Sequence, residues 1–163
     1  MFVYLADRVS KFLVTENLTL GEPVDVLGPI LRFRYVENPG AAFSLGSGST
    51  WIFALIASAV VVLILVFARR IRSIGWAVLF GLLLGGTLGN LTDRLTREPG
   101  FGVGHVVDFI QLYMFPAIFN VADIAIVSSM VLFVVLSFRG VGITGARGRA
   151  REVESAPIPS GQA

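Results

Sequence analysis

The sequence predicts an all-α membrane bundle with three complete transmembrane spans, a partial first helix and a small outer strand element. Three observations carry that prediction. Of 163 residues, 55% are hydrophobic and the mean hydropathy is +0.79, too apolar for an ordinary soluble domain. Three stretches of spanning length hold a single charged residue between them. Between the first and second apolar regions, one segment alternates with the period of a strand rather than a helix.

The elements follow in order. Phe2 to Ala6 is apolar, Asp7 and Lys11 follow at i,i+4, a favourable helical pair, and Phe12 to Val14 is apolar again. At about 1.5 Å per residue this piece covers roughly 21 Å, so it reads as the outer end of a first transmembrane helix. In residues 24–36, Leu31, Phe33 and Tyr35 alternate with Arg32 and Arg34, and Gly28-Pro29 turns the chain back toward Val24 to Leu27. A two-stranded element is expected there.

Trp51 to Ala68 is a span whose one non-hydrophobic residue is Ser58. Ser73 to Thr92 is a second span. Its Gly81, Gly85 and Gly89 recur every four residues, a face of nearly bare backbone suited to close helix packing. Ile118 to Phe138 is the third span, and Asp123 is its one charge. Arg69, Arg70 and Arg72 follow the first complete span, and Arg139, Arg147, Arg149 and Arg151 follow the last. The positive-inside rule puts both clusters in the cytoplasm and residues 15–50 and 93–117 outside. Arg94 and Arg97 fall outside against that rule.

Length fits one domain, residues 1–139, followed by a basic tail, residues 140–163, rich in Gly, Arg, Ser and Pro and expected to be disordered. No cysteine is present, which excludes disulfides and thiolate metal sites. One histidine, His105, excludes a histidine-rich zinc site and is given no role. Net charge is +2 with the arginines clustered, which favours membrane orientation over nucleic-acid binding. Asp7, Arg8 and Lys11 interrupt the N-terminal apolar stretch, so no cleavable signal peptide is expected.

The candidate chemistry lies on the outer side. A carboxylate within a bilayer costs about 2.5–3.5 kcal/mol on insertion scales, so Asp123 calls for a function and a partner. Asp108, in Val106-Val107-Asp108-Phe109-Ile110, follows a glycine-broken loop and can reach the same depth. Two adjacent carboxylates share a proton, leaving an acid and a base that can activate water against a peptide carbonyl. The plainer alternative is a loop aspartate and a helix-capping or helix-pairing one. Asn120, three residues before Asp123, shares its helix face and can orient a carboxylate, hold a substrate carbonyl or bond a neighbouring helix. Asn90, Asp93 and Arg94 end the second complete span. There Arg94 can hold a substrate carbonyl or Asp93, or form a helix-end salt bridge. Asn38-Pro39-Gly40 reads as a turn.

These blocks, in this order, resemble one family. Asn38-Pro-Gly-Ala-Ala-Phe-Ser44, Gly85-Gly-Thr-Leu-Gly-Asn-Leu-Thr-Asp-Arg94, Val106-Val-Asp-Phe109 and Phe119-Asn-Val-Ala-Asp123 look like signature blocks of signal peptidase II, the bacterial lipoprotein signal peptidase. Asp7 and Lys11 match its first block. The resemblance implies an aspartyl peptidase with a four-transmembrane-helix bundle and an outer β-cradle, here with the first helix truncated, since six residues precede Asp7. It implies cleavage of prolipoproteins just before a diacylglyceryl-modified cysteine, without metal or cofactor. Asp108 and Asp123 would be catalytic. Asn38, Asn90, Arg94 and Asn120 would line or order the substrate site, and Asp7, Lys11 and Asp93 would support it. The implied setting is the bacterial inner membrane, with the active site near the outer face, the C-terminus cytoplasmic, lipid as surroundings and a monomer as the working form. Two other classes compete, a small transporter or proton-relay subunit using membrane carboxylates, and a structural scaffold in which the aspartates pair with Arg94 or Lys11.

Overall fold

A computed structural model describes residues 1–40 and 50–144 of the chain. They form four helices and one sheet: α1 (Phe2–Asn17), β1 (Pro23–Asp25), β2 (Leu31–Asn38), α2 (Thr50–Phe67), α3 (Ile74–Thr96), β3 (Val106–Leu112), β4 (Ile118–Phe119) and α4 (Val121–Phe138), with a 3₁₀ turn over Ala68–Arg70. Among the described residues three helical segments are long and apolar enough to cross a membrane: Thr50–Arg70, Ile74–Thr96 and Val121–Phe138. Their apolar side chains face outward in numbers no water-soluble bundle would expose, Leu55, Val62, Val66, Val127 and Val131 among them.

Helix α1 has the inverse polarity of a soluble amphipathic helix. Asp7, Lys11 and Val14, spaced i, i+4, i+7, are buried together, while Leu5, Val9, Phe12 and Leu13 are exposed. The charged stripe faces inward because partners wait there, and the apolar stripe faces the surroundings.

Helix α3 is central and touches α1, α2 and α4. Its glycines divide between two neighbours. A Cβ at Gly85 would sit 2.8 Å from Val3 Cβ, and one at Gly86 would sit 2.5 Å from the Ala122 carbonyl oxygen. Gly89 faces both Asp7 of α1 and Ala122 of α4. The expected bare face is therefore real at Gly85 and Gly89, but Gly81 has nothing packed against it among the described residues. At the far end Trp76, Leu79 and Leu136 form a buried cluster. Trp76 Nε1 donates to the Val141 carbonyl at 2.7 Å, and the Arg72 and Ser73 amides both donate to the Ile143 carbonyl at 3.1 Å. The first residues after α4 are thus tied to the α2–α3 turn. The rest of the predicted tail, residues 145–163, lies outside the described residues.

The sheet is larger than expected, with four antiparallel strands in the order β1-β2-β3-β4 rather than two. Val24 pairs with Phe33, Phe33 with Ile110, Val36 with Asp108, and Ile110 with Phe119, with a register shift in β2 between Phe33 and Val36. The last span is accordingly shorter than its hydropathy suggests. Ile118 and Phe119 are strand, because β3 offers them backbone partners, and the helix begins at Val121. Asp123 is therefore in the first turn of α4, and Asn120 is the N-cap rather than a residue of the helix face.

Candidate active site

Strand β3 delivers Asp108. The loop before it passes over the end of α3, where a Cβ on Gly104 would meet the Asp93 carbonyl oxygen at 2.5 Å and that of Arg97 at 2.7 Å. A glycine alone fits that crossing. The strand is then buried on both faces. Val107 and Phe109 point into a core with Val14, while Val106 and Asp108 line a cleft on the other side. Asn38 pairs with Val106 and Asp108 with Val36, so Asn38 and Asp108 are diagonal neighbours on one face. Asn38 Nδ2 donates to Asp108 Oδ2 at 2.9 Å.

The N-terminus of α4 delivers Asp123. Asn120 and Asp123 form a reciprocal capping box: the Asp123 amide donates to Asn120 Oδ1 at 3.0 Å, and the Asn120 amide to Asp123 Oδ2 at 3.1 Å. A second helix-start amide, that of Ala122, donates to Asp7 Oδ1 at 3.0 Å, so α1 caps α4 across 115 residues.

Three asparagines join the two carboxylates. Asn90 Nδ2 donates to Asp123 Oδ1 at 2.8 Å, and Asn120 Nδ2 donates to Asp108 Oδ1 at 2.6 Å. With Asn38 and the Asn120 amide, all four carboxylate oxygens have a donor. Burial pushes the Asp108 carboxyl up from 3.8 to about 7, and the charge of Asp123 adds to the rise, against the opposing bonds from Asn38 and Asn120.

The cleft, of about 790 Å³, is lined by Asn38, Asn90, Arg94, Asp108 and Asp123 at its polar end. Phe53, Ile56 and Val60 of α2 and Ile124 and Val127 of α4 make its apolar walls. Arg94 enters from α3. Its Nη2 donates to the Gly40 carbonyl, its guanidinium lies 5.3 Å from the Phe53 ring centroid, and its buried Nη1 has no hydrogen-bond partner among the described residues.

The other expected residues lie behind the cleft. Asp93 is fully buried and tied to Arg8, to Lys11 at 2.8 Å and to Arg97 at 2.8 Å. The helix-end pair of α3 is thus Asp93–Arg97, not Asp93–Arg94. Lys11 Nζ lies 2.9 Å from Asp7, as their spacing predicts, and donates to Asn90 Oδ1 at 2.9 Å. Asn120 is fully buried and does not line the cleft; its side chain serves Asp108, Asn90, the Val107 carbonyl and the Asp123 amide. Sequence reasoning left out Arg8, Phe53 and the Asp93–Arg97 pairing. The i,i+4 spacing signals the last, whereas nothing local signals Phe53. Residues 41–44 of the Asn38–Ser44 block lie outside the described residues. Among those described, no three His, Asp or Glu side chains gather as a metal-binding set.

Apolar spans around a cleft lined by two carboxylates, Asp108 buried and Asp123 half-buried, are the setting expected of a membrane-embedded peptidase of the aspartic kind. The particular family follows from comparison with known proteins. The chain belongs to the signal peptidase II family, whose model, described as signal peptidase (SPase) II, matches residues 1–139. It is 60% identical to the lipoprotein signal peptidase of Leifsonia xyli subsp. xyli over 147 residues, 90% of this chain and 68% of that protein. It is 51% identical to the lipoprotein signal peptidase of Streptomyces coelicolor over 145 residues, 89% of this chain and 71% of that protein. Two solved structures, each described as a bacterial membrane enzyme determined by the in meso method, are similar at 28% identity. Their TM-scores are 0.76 and 0.73; each similarity covers 85% of this chain, with 84% of the first structure and 88% of the second.

Proposed function

We propose that this chain removes signal peptides from prolipoproteins by cleaving just before a diacylglyceryl-modified cysteine, with Asp108 and Asp123 as the catalytic pair. The observation that carries the reading is that both carboxylates line one cleft and each oxygen of each is held by a separate donor. A pair held in that way is preorganised for proton transfer.

Near neutral pH one proton is shared by the pair, because Asp108 stays protonated up to about 7. The ionised member takes a proton from water, whose oxygen bonds to the scissile carbonyl carbon. The protonated member polarises that carbonyl and then gives its proton to the departing nitrogen as the C–N bond breaks. Arg94 Nη1, buried at the cleft wall and without a hydrogen-bond partner among the described residues, supplies a donor for a substrate backbone carbonyl. The apolar walls between α2 and α4 take the acyl chains and the signal-peptide helix from the lipid side.

In this reading α1 belongs to the first of four transmembrane helices, and the sheet is the cradle for the lipidated end of the substrate. Residues 1–139 form the membrane-embedded domain of a monomer in the bacterial cytoplasmic membrane. Arg69, Arg70, Arg72 and Arg139 flank the opposite ends of the spans from the carboxylates, which supports a cytoplasmic C-terminus and a site near the outer face. Membranes carrying Asp108→Asn or Asp123→Asn, incubated with a diacylglyceryl-modified prolipoprotein, are expected to leave it uncleaved at normal enzyme levels. Near-normal processing by either variant removes the carboxylate mechanism.

A further inference from the structure

We infer that Lys11 is a positioning residue, whose ammonium decides which end of the Asn90 side-chain amide faces Asp123. The inference rests on the reading of Asp108 and Asp123 as the catalytic pair.

A carboxamide has nearly the same shape when turned over, but its chemistry reverses, with an acceptor oxygen at one end and two N–H donors at the other. At Asn90 the choice matters, because the end that faces Asp123 meets a carboxylate oxygen at 2.8 Å. A nitrogen there donates; an oxygen there would repel. The other end of the amide meets Lys11 Nζ at 2.9 Å. An ammonium has three donors and no acceptor, so it accepts only the oxygen end. Turning the amide over would set an NH2 group against the ammonium and an oxygen against the carboxylate at once.

The same setting reaches Asp108. Asn90 Oδ1, held by Lys11, also accepts from Asn120 Nδ2 at 3.1 Å, and that nitrogen lies 2.6 Å from Asp108 Oδ1. Lys11 thus orients the Asn90 amide, whose oxygen joins the Asp123 amide and the Val107 carbonyl in fixing the Asn120 amide, and the two amides present donors to both carboxylates. Lys11 itself touches neither aspartate and does not line the cleft. It is ion-paired with Asp7 at 2.9 Å and with Asp93 at 2.8 Å, with the side chain fully buried. The charged groups around the pair are Lys11 from α1, Arg94 from α3 and the two carboxylates from β3 and α4. Among the described residues, Lys11 alone of the cations bonds the amide chain.

The test is a double-mutant cycle on the purified full chain with a diacylglyceryl-modified prolipoprotein peptide. The first variant is Lys11→Met with Asp7→Asn, which removes one charge of each sign and keeps an oxygen for the Ala122 amide. The second is Lys11→Leu with Asp7→Asn, which likewise leaves no donor at this position, and the cycle is read on whichever accumulates as folded protein. Either is expected to lower kcat roughly 10- to 100-fold, the range seen when a residue that orients an active-site group is lost, with KM changed less than about twofold. Added to Asn90→Ala, the Lys11 change is expected to lower kcat by less than about twofold more, since its effect passes through Asn90. A purely structural lysine gives losses that multiply across the cycle. Multiplying losses, or an unchanged kcat in the folded variant, overturn the inference. Full activity of Asp108→Asn or Asp123→Asn in parallel overturns the carboxylate reading instead.

Discussion

Replacing Asp108 with asparagine separates the energetic role of this carboxyl from its chemical one. Folded, its carboxyl titrates at about 7 against an ordinary 3.8. A carboxyl that binds its proton more tightly folded than unfolded adds stability at low pH, and that stability is lost as pH rises from about 4 through about 7. At about 1.36 kcal/mol for each pH unit of that gap, the ionised group costs the folded state roughly 4 kcal/mol above neutrality. The Asp108→Asn side chain carries no such cost. It does lose one of the two bonds now made by Asn38 and Asn120, because its NH2 must face one of those donors, at a cost of about 1–3 kcal/mol at every pH. About 1.6 kcal/mol of the parent's penalty is already present at about pH 5, because the unfolded carboxyl is ionised there, so the variant is expected to gain on the parent by roughly 2.6 kcal/mol between about pH 5 and about pH 8. Unfolding in detergent micelles at both pH values, with cleavage measured on the same samples, checks it. A stability difference between variant and parent that does not change with pH refutes the burial argument for Asp108.

Two further outcomes follow from the same geometry. Cleavage by the parent enzyme is expected to fall as pH rises above about 7, because the protonated member of the pair is lost there; initial rates across the range check this, and a rate flat from neutral to alkaline pH contradicts it. Gly89→Ala drives a Cβ into Asp7 Oδ2 and to 3.2 Å from Ala122 Cβ, so Asp7 must leave Lys11 and the start of α4, whereas Gly81→Ala meets nothing within 4 Å among the described residues. The first is expected to cost at least about 1–3 kcal/mol and the second to be neutral or better, as read by thermal unfolding of the two purified variants.

Most of the membrane architecture was legible in the sequence because partition between water and lipid is a local property of composition. The spans at Trp51–Ala68 and Ser73–Thr92 match α2 and most of α3 within a few residues. The same reasoning overran at Ile118, since two apolar residues before a helix look alike whether they are helix or strand. Asp7 and Lys11 were legible as a pair because four residues make one helical turn. The bonds that make the site were not. Asn38 reaches Asp108 across 70 residues, Lys11 reaches Asn90 across 79 and Asp7 reaches Ala122 across 115. No periodicity carries such information.

The sequence by itself determined that this chain lives among apolar helices, that two aspartates stand where charge is costly, and that ordered blocks around them belong to one family. Only the tertiary structure decided that β3 turns Asp108 into the cleft that receives Asp123, that Asp123 starts its helix rather than lying within it, and that Arg94 faces the cleft while Asp93 turns to Lys11 and Arg97. The physical reason is that hydropathy and spacing report where a side chain can be, whereas a donor and an acceptor become partners only when the packing of separate elements brings them within 3 Å or so.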